Sequence, residues 1–216
     1  MKTHPGLLFI VICLLPLISI ATLSGYIRTY SFPSESVLKT EWKEKIFNGK
    51  TEYGVKEGFL FGRTKENSSA LYSEVANWDL TKNPILSWEW RVEKFPPRQG
   101  DLSRQSEDYP MRVIIVFPAR IFLNSKAIAY AWDPKAPKDT IYNSAVTKNM
   151  KIIVAESGAE TMTWKTENRN VLQDYVRAFG EKPARLPGAV GILVDADDEK
   201  QWSEGNVRYV NVGGPS

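Results

Sequence analysis

Short apolar runs separated by Gly, Pro, Asn or Asp recur along most of this sequence, and many of them alternate apolar with polar side chains. The clearest runs cover residues 58–65, 70–75, 85–92, 111–117, 127–132, 151–156, 161–165, 189–195 and 207–212. Successive strand residues point to opposite faces of a sheet, so many short, turn-bounded runs are typical of two sheets packed face to face. The pattern predicts a mainly β protein built as an antiparallel β-sandwich.

One segment departs from the strand period. Within residues 170–179 the apolar residues Val171, Tyr175, Ala178 and Phe179 share one helical face. Asn170 is a good residue for the start of a helix, and Gly180 suits a left-handed end. These signals predict one short helix at an edge of the sandwich.

Histidine and cysteine are confined to the first 25 residues, where each occurs once, as His4 and Cys13. The rest of the chain therefore has no residues for Ser-His-Asp or Cys-His catalysis, for a histidine base, or for a Cys/His zinc site. It also has no cysteine pair for a disulfide. Any chemistry must come from carboxylates, lysines, arginines and aromatic side chains.

The amino terminus reads as a targeting segment. No charged side chain occurs in residues 3–27, and residues 7–20 (LLFIVICLLPLISI) are almost continuously apolar, with Lys2 ahead of them. Residues 1–25 therefore predict either a signal peptide or an uncleaved membrane anchor of about 20 residues. Lys2 should stay inside, which leaves residues 26–216, predicted to be a single β-sandwich domain, in the periplasm or at the cell surface.

The charge pattern argues against a nucleic-acid partner. The chain carries 28 Lys and Arg and 25 Asp and Glu, a net charge of +3 with the two signs interspersed. No basic stretch is interleaved with aromatic residues. We expect a saccharide or another ligand of the cell envelope, with membrane contact through the amino-terminal segment if it is uncleaved.

Three tryptophans are candidates for sugar stacking. Trp88 and Trp90 fall on the same face of one predicted strand, and Trp132 shares a face with Tyr130 on another. An indole can cover the apolar C–H face of a sugar ring and still donate its N–H. The alternative is that these side chains form the sandwich core, which is the commoner role of aromatic residues in buried strands.

Arg112, Asp195 and Asp197 are the candidate polar groups. Arg112 lies in a strand whose two faces are both apolar, so its guanidinium needs a carboxylate partner. Asp195 and Asp197 share one face of a later strand, and Asp195 is a candidate partner. The pair would be structural, or it would orient sugar hydroxyls or an anionic group if it lines a concave surface.

The run from Asp195 to Glu199 offers carboxylates for two further roles. It could supply oxygen ligands to calcium, although it lacks the EF-hand spacing, and a solvated turn is the favoured interpretation. We therefore expect no cofactor. Two carboxylates could also catalyse glycan hydrolysis, but the spacing does not single out an acid and a base. The candidates are Glu89, Asp108, Glu156, Asp174, Asp195 and Asp197.

The order of several short motifs resembles a known family. The motifs are Trp88-Glu89-Trp90-Arg91-Val92, Asp101, residues 107–113 (EDYPMRV), Tyr130-Ala131-Trp132, Arg169-Asn170-Val171, Asp174-Tyr175, Phe179-Gly180 and Val194-Asp195-Ala196-Asp197. Together they resemble the bacterial family called domain of unknown function 3047, over most of residues 47–212. Ala196 and Asp198 replace a threonine and an asparagine that the family's pattern has there. The resemblance implies an exported, jelly-roll-like sandwich similar to galactose-binding modules, and it brings no established activity.

These observations favour a non-catalytic binding module for a saccharide or cell-envelope ligand. The expected ligand-binding residues are Trp88, Trp90, Arg112, Trp132, Asp195 and Asp197. Two alternatives remain open. One is a glycan hydrolase that uses two carboxylates, and the other is an envelope protein-interaction domain that uses a sheet edge or the helix.

Overall fold

A computed structural model describes residues 25–96, 107–198 and 200–215. The predicted leader falls almost entirely outside these ranges. Its interpretation as a signal peptide or an anchor therefore remains a prediction. Within the described residues, no helix has both the length and the apolar character needed to cross a membrane.

The regular structure of the described chain is mainly β. The strands are β1 Arg28–Ser31, β2 Lys43–Asn48, β3 Glu52–Lys56, β4 Phe59–Lys65, β5 Ser68–Glu74, β6 Ile85–Lys94, β7 Arg112–Phe117, β8 Lys126–Asp133, β9 Ile141–Asn143, β10 Met150–Ser157, β11 Lys165–Asn170, β12 Ala189–Asp195 and β13 Trp202–Gly214. The helices are α1 Ser36–Thr40 and α2 Val171–Phe179, with a short 3₁₀ helix at Phe122–Asn124.

The strands form two sheets. The first has the order β11-β6-β13-β4-β3, with β1 also paired to β13. The second has the order β2-β5-β12-β7-β8-β10-β9. We call them the six-stranded and the seven-stranded sheet. Together they make the predicted β-sandwich.

Aromatic rings join the two sheets. Trp88 and Trp90 of β6 meet edge to face, with ring centroids 5.3 Å apart. Across the sandwich, Trp88 lies 5.2 Å from Tyr130 and Trp90 lies 5.8 Å from Trp132. These centroid separations lie in the range in which aromatic pairs add stability beyond their buried area. The contacts also show that β6 and β8 face each other across the sandwich and run in the same direction.

Helix α2 follows β11 directly and has the ends that the sequence predicts. The Asn170 side chain accepts a hydrogen bond from the backbone N–H of Gln173, at 3.0 Å. Gly180 has a φ of 73°, a left-handed conformation in which a side chain would be strained, and its N–H donates to the carbonyl of Val176. Inside the helix, Tyr175 packs on Phe117 of β7, with ring centroids 4.5 Å apart. The helix therefore covers one edge of the core.

A buried ion-pair network fixes α2 to the sandwich. Arg169, at the end of β11, donates two hydrogen bonds to Asp174, at 2.9 and 2.8 Å. The hydroxyl of Tyr130 donates to the same carboxylate at 3.0 Å. The remaining nitrogen of Arg169 donates to Asp139, at 2.8 Å, in the loop after β8. One arginine thus links both sheets, the helix and a loop.

The structure corrects the predicted fold in several details. Strands β8 and β10 are parallel, so the sandwich is not wholly antiparallel. Helix α1 has only five residues and no buried side chain, so it produces no apolar periodicity. The exposed edge strand β2 gives no strand signal for the same reason. The strand predicted at residues 161–165 instead begins at Lys165, where β11 starts.

The two ends of the sandwich have different contents. Strand β7 begins with Arg112 where β12 ends with Asp195, and we call this the acidic end. The opposite end carries the connections of residues 75–84, 118–125 and 180–188. It also carries Gly25, because β1 starts opposite Val212 near the end of β13. We call this the entry end.

The Arg169 network yields a stability prediction. Replacing Asp174 with Asn leaves a buried guanidinium short of its main counter-charge and should lower the free energy of unfolding by about 3 kcal/mol. Replacing Asp139, the half-exposed partner of the same arginine, with Asn should cost less than about 1 kcal/mol. Urea denaturation of both variants checks this, and equal losses would contradict it.

Candidate functional site

The polar residues singled out in the sequence meet at the acidic end. Arg112 is the first residue of β7, Asp195 is the last of β12, and Asp197 lies in the turn that leads to β13. Residues 107–110 run into β7 and lie beside this turn. Three separate parts of the chain therefore supply the site.

Arg112 is a buried guanidinium, with 1% of its surface exposed. Its Nη2 donates to Oδ2 of Asp195 at 2.5 Å, so the predicted pair is present. Its Nη1 lies 3.6 Å from a carboxylate oxygen of Glu107, and the guanidinium carbon lies 5.3 Å from the ring centroid of Tyr109. Among the described residues, neither Nε nor Nη1 has a hydrogen-bond partner. The arginine is neutralised, but two of its nitrogens donate to no acceptor in residues 25–96, 107–198 or 200–215.

Hydrogen bonds close the acidic end around this arginine. The backbone N–H of Asp198 donates to Asp108 at 3.1 Å, and the N–H of Glu107 donates back to Asp198 at 2.8 Å. The Glu107 carboxylate also accepts from the hydroxyl of Ser144 at 3.0 Å and from the N–H of Ala145. The segment before β7 is therefore tied both to the β12–β13 turn and to the chain after β9.

Three carboxylates converge beside Arg112. Asp108, Asp195 and Asp197 each offer an oxygen, and these oxygens all lie within 4.8 Å of one another. Asp108 and Asp195 are buried and Asp197 is half-buried. Carboxylate oxygens are ligands that calcium prefers, so the three could contribute to a calcium site. The positive charge of Arg112, which already pairs with Asp195, would repel a calcium ion bound at these carboxylates.

Asp195 has an unusual proton affinity. Burial raises its pKa from the ordinary value of 3.8 to about 7; the Arg112 charge works against this rise, whereas the nearby Asp197 and Asp108 carboxylates add to it. Glu167 on β11 is a second such case. Burial raises its pKa to about 7, although Lys138 lies 3.2 Å away. For both carboxyl groups, the raised pKa means that the protonated form is favoured more strongly in the folded state than in the unfolded state.

The predicted stacking tryptophans lie elsewhere. Trp88 is 0%, Trp90 1% and Trp132 0% exposed, in the core between the two sheets. The indole N–H of Trp132 donates to the carbonyl of Gly158 at 2.8 Å. None of these three indole faces is open to a sugar, so Trp88, Trp90 and Trp132 behave as the core alternative describes.

An exposed tryptophan at the acidic end was not singled out from the sequence. Trp202 begins β13 and is 46% exposed. It pairs with Lys65 at the start of the β4–β5 turn, and the N–H of Ala196 donates to the carbonyl of Asn67 in that same turn. Trp202 therefore lies at the same end of the sandwich as the carboxylates. The sequence offered one sign that Trp202 is exposed, which is its position just after the charged run of residues 195–200.

The family comparison agrees with the order of the sequence motifs. Residues 40–211 match the family described as "Protein of unknown function (DUF3047)". The chain belongs to this DUF3047 family. No curated protein matches the chain.

Solved structures with a similar fold are remote in sequence. One is a family 11 carbohydrate-binding module of the cellulosomal cellulase Lic26A-Cel5E of Clostridium thermocellum, with 9% identity and a TM-score of 0.39; the match covers 81% of this chain and 88% of that chain. Another is the xyloglucanase domain of NopAA, a type three effector from Sinorhizobium fredii, with 9% identity and a TM-score of 0.44; the match covers 77% of this chain and 90% of that chain. Similarity at this level gives no basis for transferring a ligand or an activity to this DUF3047 chain.

The raised pKa of Asp195 predicts a pH-dependent stability difference. Between about pH 4, near the pKa of an unfolded aspartate, and about pH 7, the folded state binds a proton that the unfolded state does not. The stabilisation from this proton is therefore lost as pH rises through that window. The unfolding free energy of the wild type minus that of Asp195→Asn should fall over the same range.

Urea denaturation at a series of pH values measures this difference. Glu167→Gln should show the same trend independently, because burial raises its pKa in the same direction. Asp79→Asn is the control, since hydrogen bonds from the hydroxyl and N–H of Thr81 lower the pKa of this partly exposed carboxyl. The prediction is contradicted if the unfolding free energy of the wild type minus that of Asp195→Asn stays constant or rises with pH.

Proposed function

We propose that this DUF3047 protein is a non-catalytic module that binds a saccharide or cell-envelope polymer at its acidic end, outside the cytoplasmic membrane. Arg112, Asp195 and Asp197 would orient the ligand, and Trp202 would stack on a sugar ring. The buried tryptophans Trp88, Trp90 and Trp132 have no part in this proposal.

The observation that carries the proposal is the incomplete hydrogen bonding of Arg112. A buried donor without an acceptor costs about 1–3 kcal/mol, and more for a charged group. Folded proteins satisfy most such groups, so an arginine with two unused nitrogens needs an explanation. Hydroxyl oxygens of a sugar, or a carboxylate of an acidic sugar, would be suitable acceptors. Because both nitrogens are buried, binding through them requires the residues that cover Arg112 to move aside.

The surroundings of Arg112 support a hydroxyl-rich ligand. Asp197 is half-buried and Asp198 exposed, so carboxylates that accept hydrogen bonds from hydroxyl groups reach the surface there. Trp202 adds an exposed indole at the same end. Polar groups beside an aromatic platform are what a sugar ring needs, because its edge carries hydroxyls and its face carries C–H groups.

Binding can be tested by calorimetric titration of the full chain against a panel of bacterial and plant glycans. For the glycan class that binds, Trp202→Ala should weaken binding by about two- to tenfold, since an aromatic contact is worth about 0.5–1.5 kcal/mol. Trp164→Ala is the matched control, because Trp164 is a partly exposed tryptophan that contacts Arg91 and Arg208 instead.

Arg112→Gln and Asp197→Asn complete the same experiment. Each should weaken binding while circular dichroism shows an unchanged fold. If Arg112→Gln unfolds the protein, Asp197→Asn and Trp202→Ala still test the site. Repeating the titration with calcium and then with a chelator shows whether a cation takes part. A flat response over the panel would overturn the proposal and favour the envelope protein-interaction alternative.

The raised pKa of Asp195 favours a second candidate, a glycan hydrolase. A carboxylic acid that keeps its proton near neutral pH can protonate a leaving group, and a neighbouring carboxylate can act as base or nucleophile. Asp108 and Asp197 are the neighbours. Reducing ends should then accumulate with time, and Asp195→Asn should stop their release but leave binding intact. Binding without turnover would exclude this candidate.

A further inference from the structure

Large apolar side chains lie exposed at the entry end, opposite the acidic end. In the connection between β7 and β8, Leu123 is 81% and Ile121 62% exposed. In the connection between α2 and β12, Leu186 is 48% exposed. Single exposed apolar side chains are common on folded proteins, but several of them on one surface mark an interaction site.

Basic side chains occur in the same two connections. Arg120 precedes Ile121, Arg185 precedes Leu186, and Lys182 lies between them and helix α2. Within the described residues none of these three has a carboxylate partner, whereas the nearby Glu181 is paired with Lys126. We call Arg120, Ile121, Leu123, Lys182, Arg185 and Leu186 the basic-apolar surface.

A cavity brings the two connections together. It has a volume of about 220 Å³, and both Arg120 and Arg185 line it. Lys126, Glu181 and Tyr175 also line it; Glu181 is paired with Lys126, so the two charges of that pair cancel and the arginines set the charge of the cavity. Two unpaired guanidinium groups around one cavity favour an anionic group, and arginine binds phosphate oxygens with two parallel hydrogen bonds.

The course of the chain identifies the partner. Gly25 is the first described residue, and β1 starts beside the end of β13, so the chain enters the sandwich at the entry end. The apolar sequence of residues 7–20 immediately precedes this point. Exposed apolar side chains, unpaired cations and an adjoining apolar segment are the combination that recognises a bilayer with anionic headgroups.

We propose that the basic-apolar surface docks on an anionic phospholipid bilayer. Ile121, Leu123 and Leu186 enter the interface between headgroups and acyl chains. Arg120 and Arg185 bind a headgroup phosphate at the cavity, and Lys182 adds to the attraction. The acidic end then faces away from the membrane. Binding of this kind weakens as salt rises, because the charges act through solvent.

The test uses a fluorescent label on the full chain to measure which positions contact the bilayer when the protein is bound to vesicles. In a Cys13→Ser background, Leu123→Cys is labelled with an environment-sensitive fluorophore. The matched control is Phe47→Cys, which labels an exposed apolar position of β2 (59% exposed) towards the acidic end. Vesicles of phosphatidylcholine with and without phosphatidylserine are compared, with vesicle flotation to confirm that the chain is bound.

On phosphatidylserine vesicles, the label at position 123 should shift its emission to the blue and lose quenching by aqueous iodide, and the label at position 47 should do neither. Arg120→Glu combined with Arg185→Glu should reverse the effect at position 123. Lys45→Glu combined with Lys94→Glu, the same charge change away from this surface, should not. The proposal is overturned if position 123 stays in water on bound chain, if both positions become shielded, or if the chain does not float with the vesicles.

Discussion

The packing of the two sheets through aromatic rings is the constraint on which the rest of the structure depends. Trp88, Trp90, Tyr130 and Trp132 fill the space between β6 and β8, and their centroid separations of 5.2 to 5.8 Å leave no gap for a ligand. Because the largest side chains are used in the core, recognition must come from the ends or the outer faces of the sandwich. The candidate groups for binding are indeed found at the two ends.

Two buried arginines show different solutions to the same physical problem. Arg169 donates to Asp174 through two nitrogens and to Asp139 through the third, so its guanidinium is satisfied by the fold alone. Arg112 has a comparable burial, but within the part of the chain that the structure describes it donates to Asp195 alone, with Glu107 farther away. A purely structural ion pair would be expected to resemble Arg169. The difference is the reason to look for a ligand at Arg112.

Period-two patterning was enough to predict the sandwich and most of its central strands, because alternation is strongest where one face is buried. The helix was predicted for an equally local reason, the capping residues Asn170 and Gly180 around an apolar face. Which strands pair with each other is not decided locally. The parallel pairing of β8 with β10 depends on contacts between residues that are not adjacent in sequence. The pairing of Arg112 with Asp195 was predicted because a charge between apolar neighbours requires a counter-charge. Trp202 was missed because exposure is decided by the packed sheets and not by its neighbours in sequence.

The positions of the two proposed surfaces follow from strand direction. Strands β7 and β12 are antiparallel neighbours, so the residue that begins one lies beside the residue that ends the other. This places Arg112 and Asp195 together at one end and the connections after Phe117 and before Ala189 together at the other. Strand β1 brings the chain in at that second end. A protein held there by lipid would present Asp197 and Trp202, with Arg112 buried behind them, to the space beyond the membrane, where the proposed envelope ligand would lie. The two proposals are therefore compatible in geometry, yet they rest on different residues, so that loss of lipid binding on Arg120→Glu with Arg185→Glu should leave glycan binding unchanged.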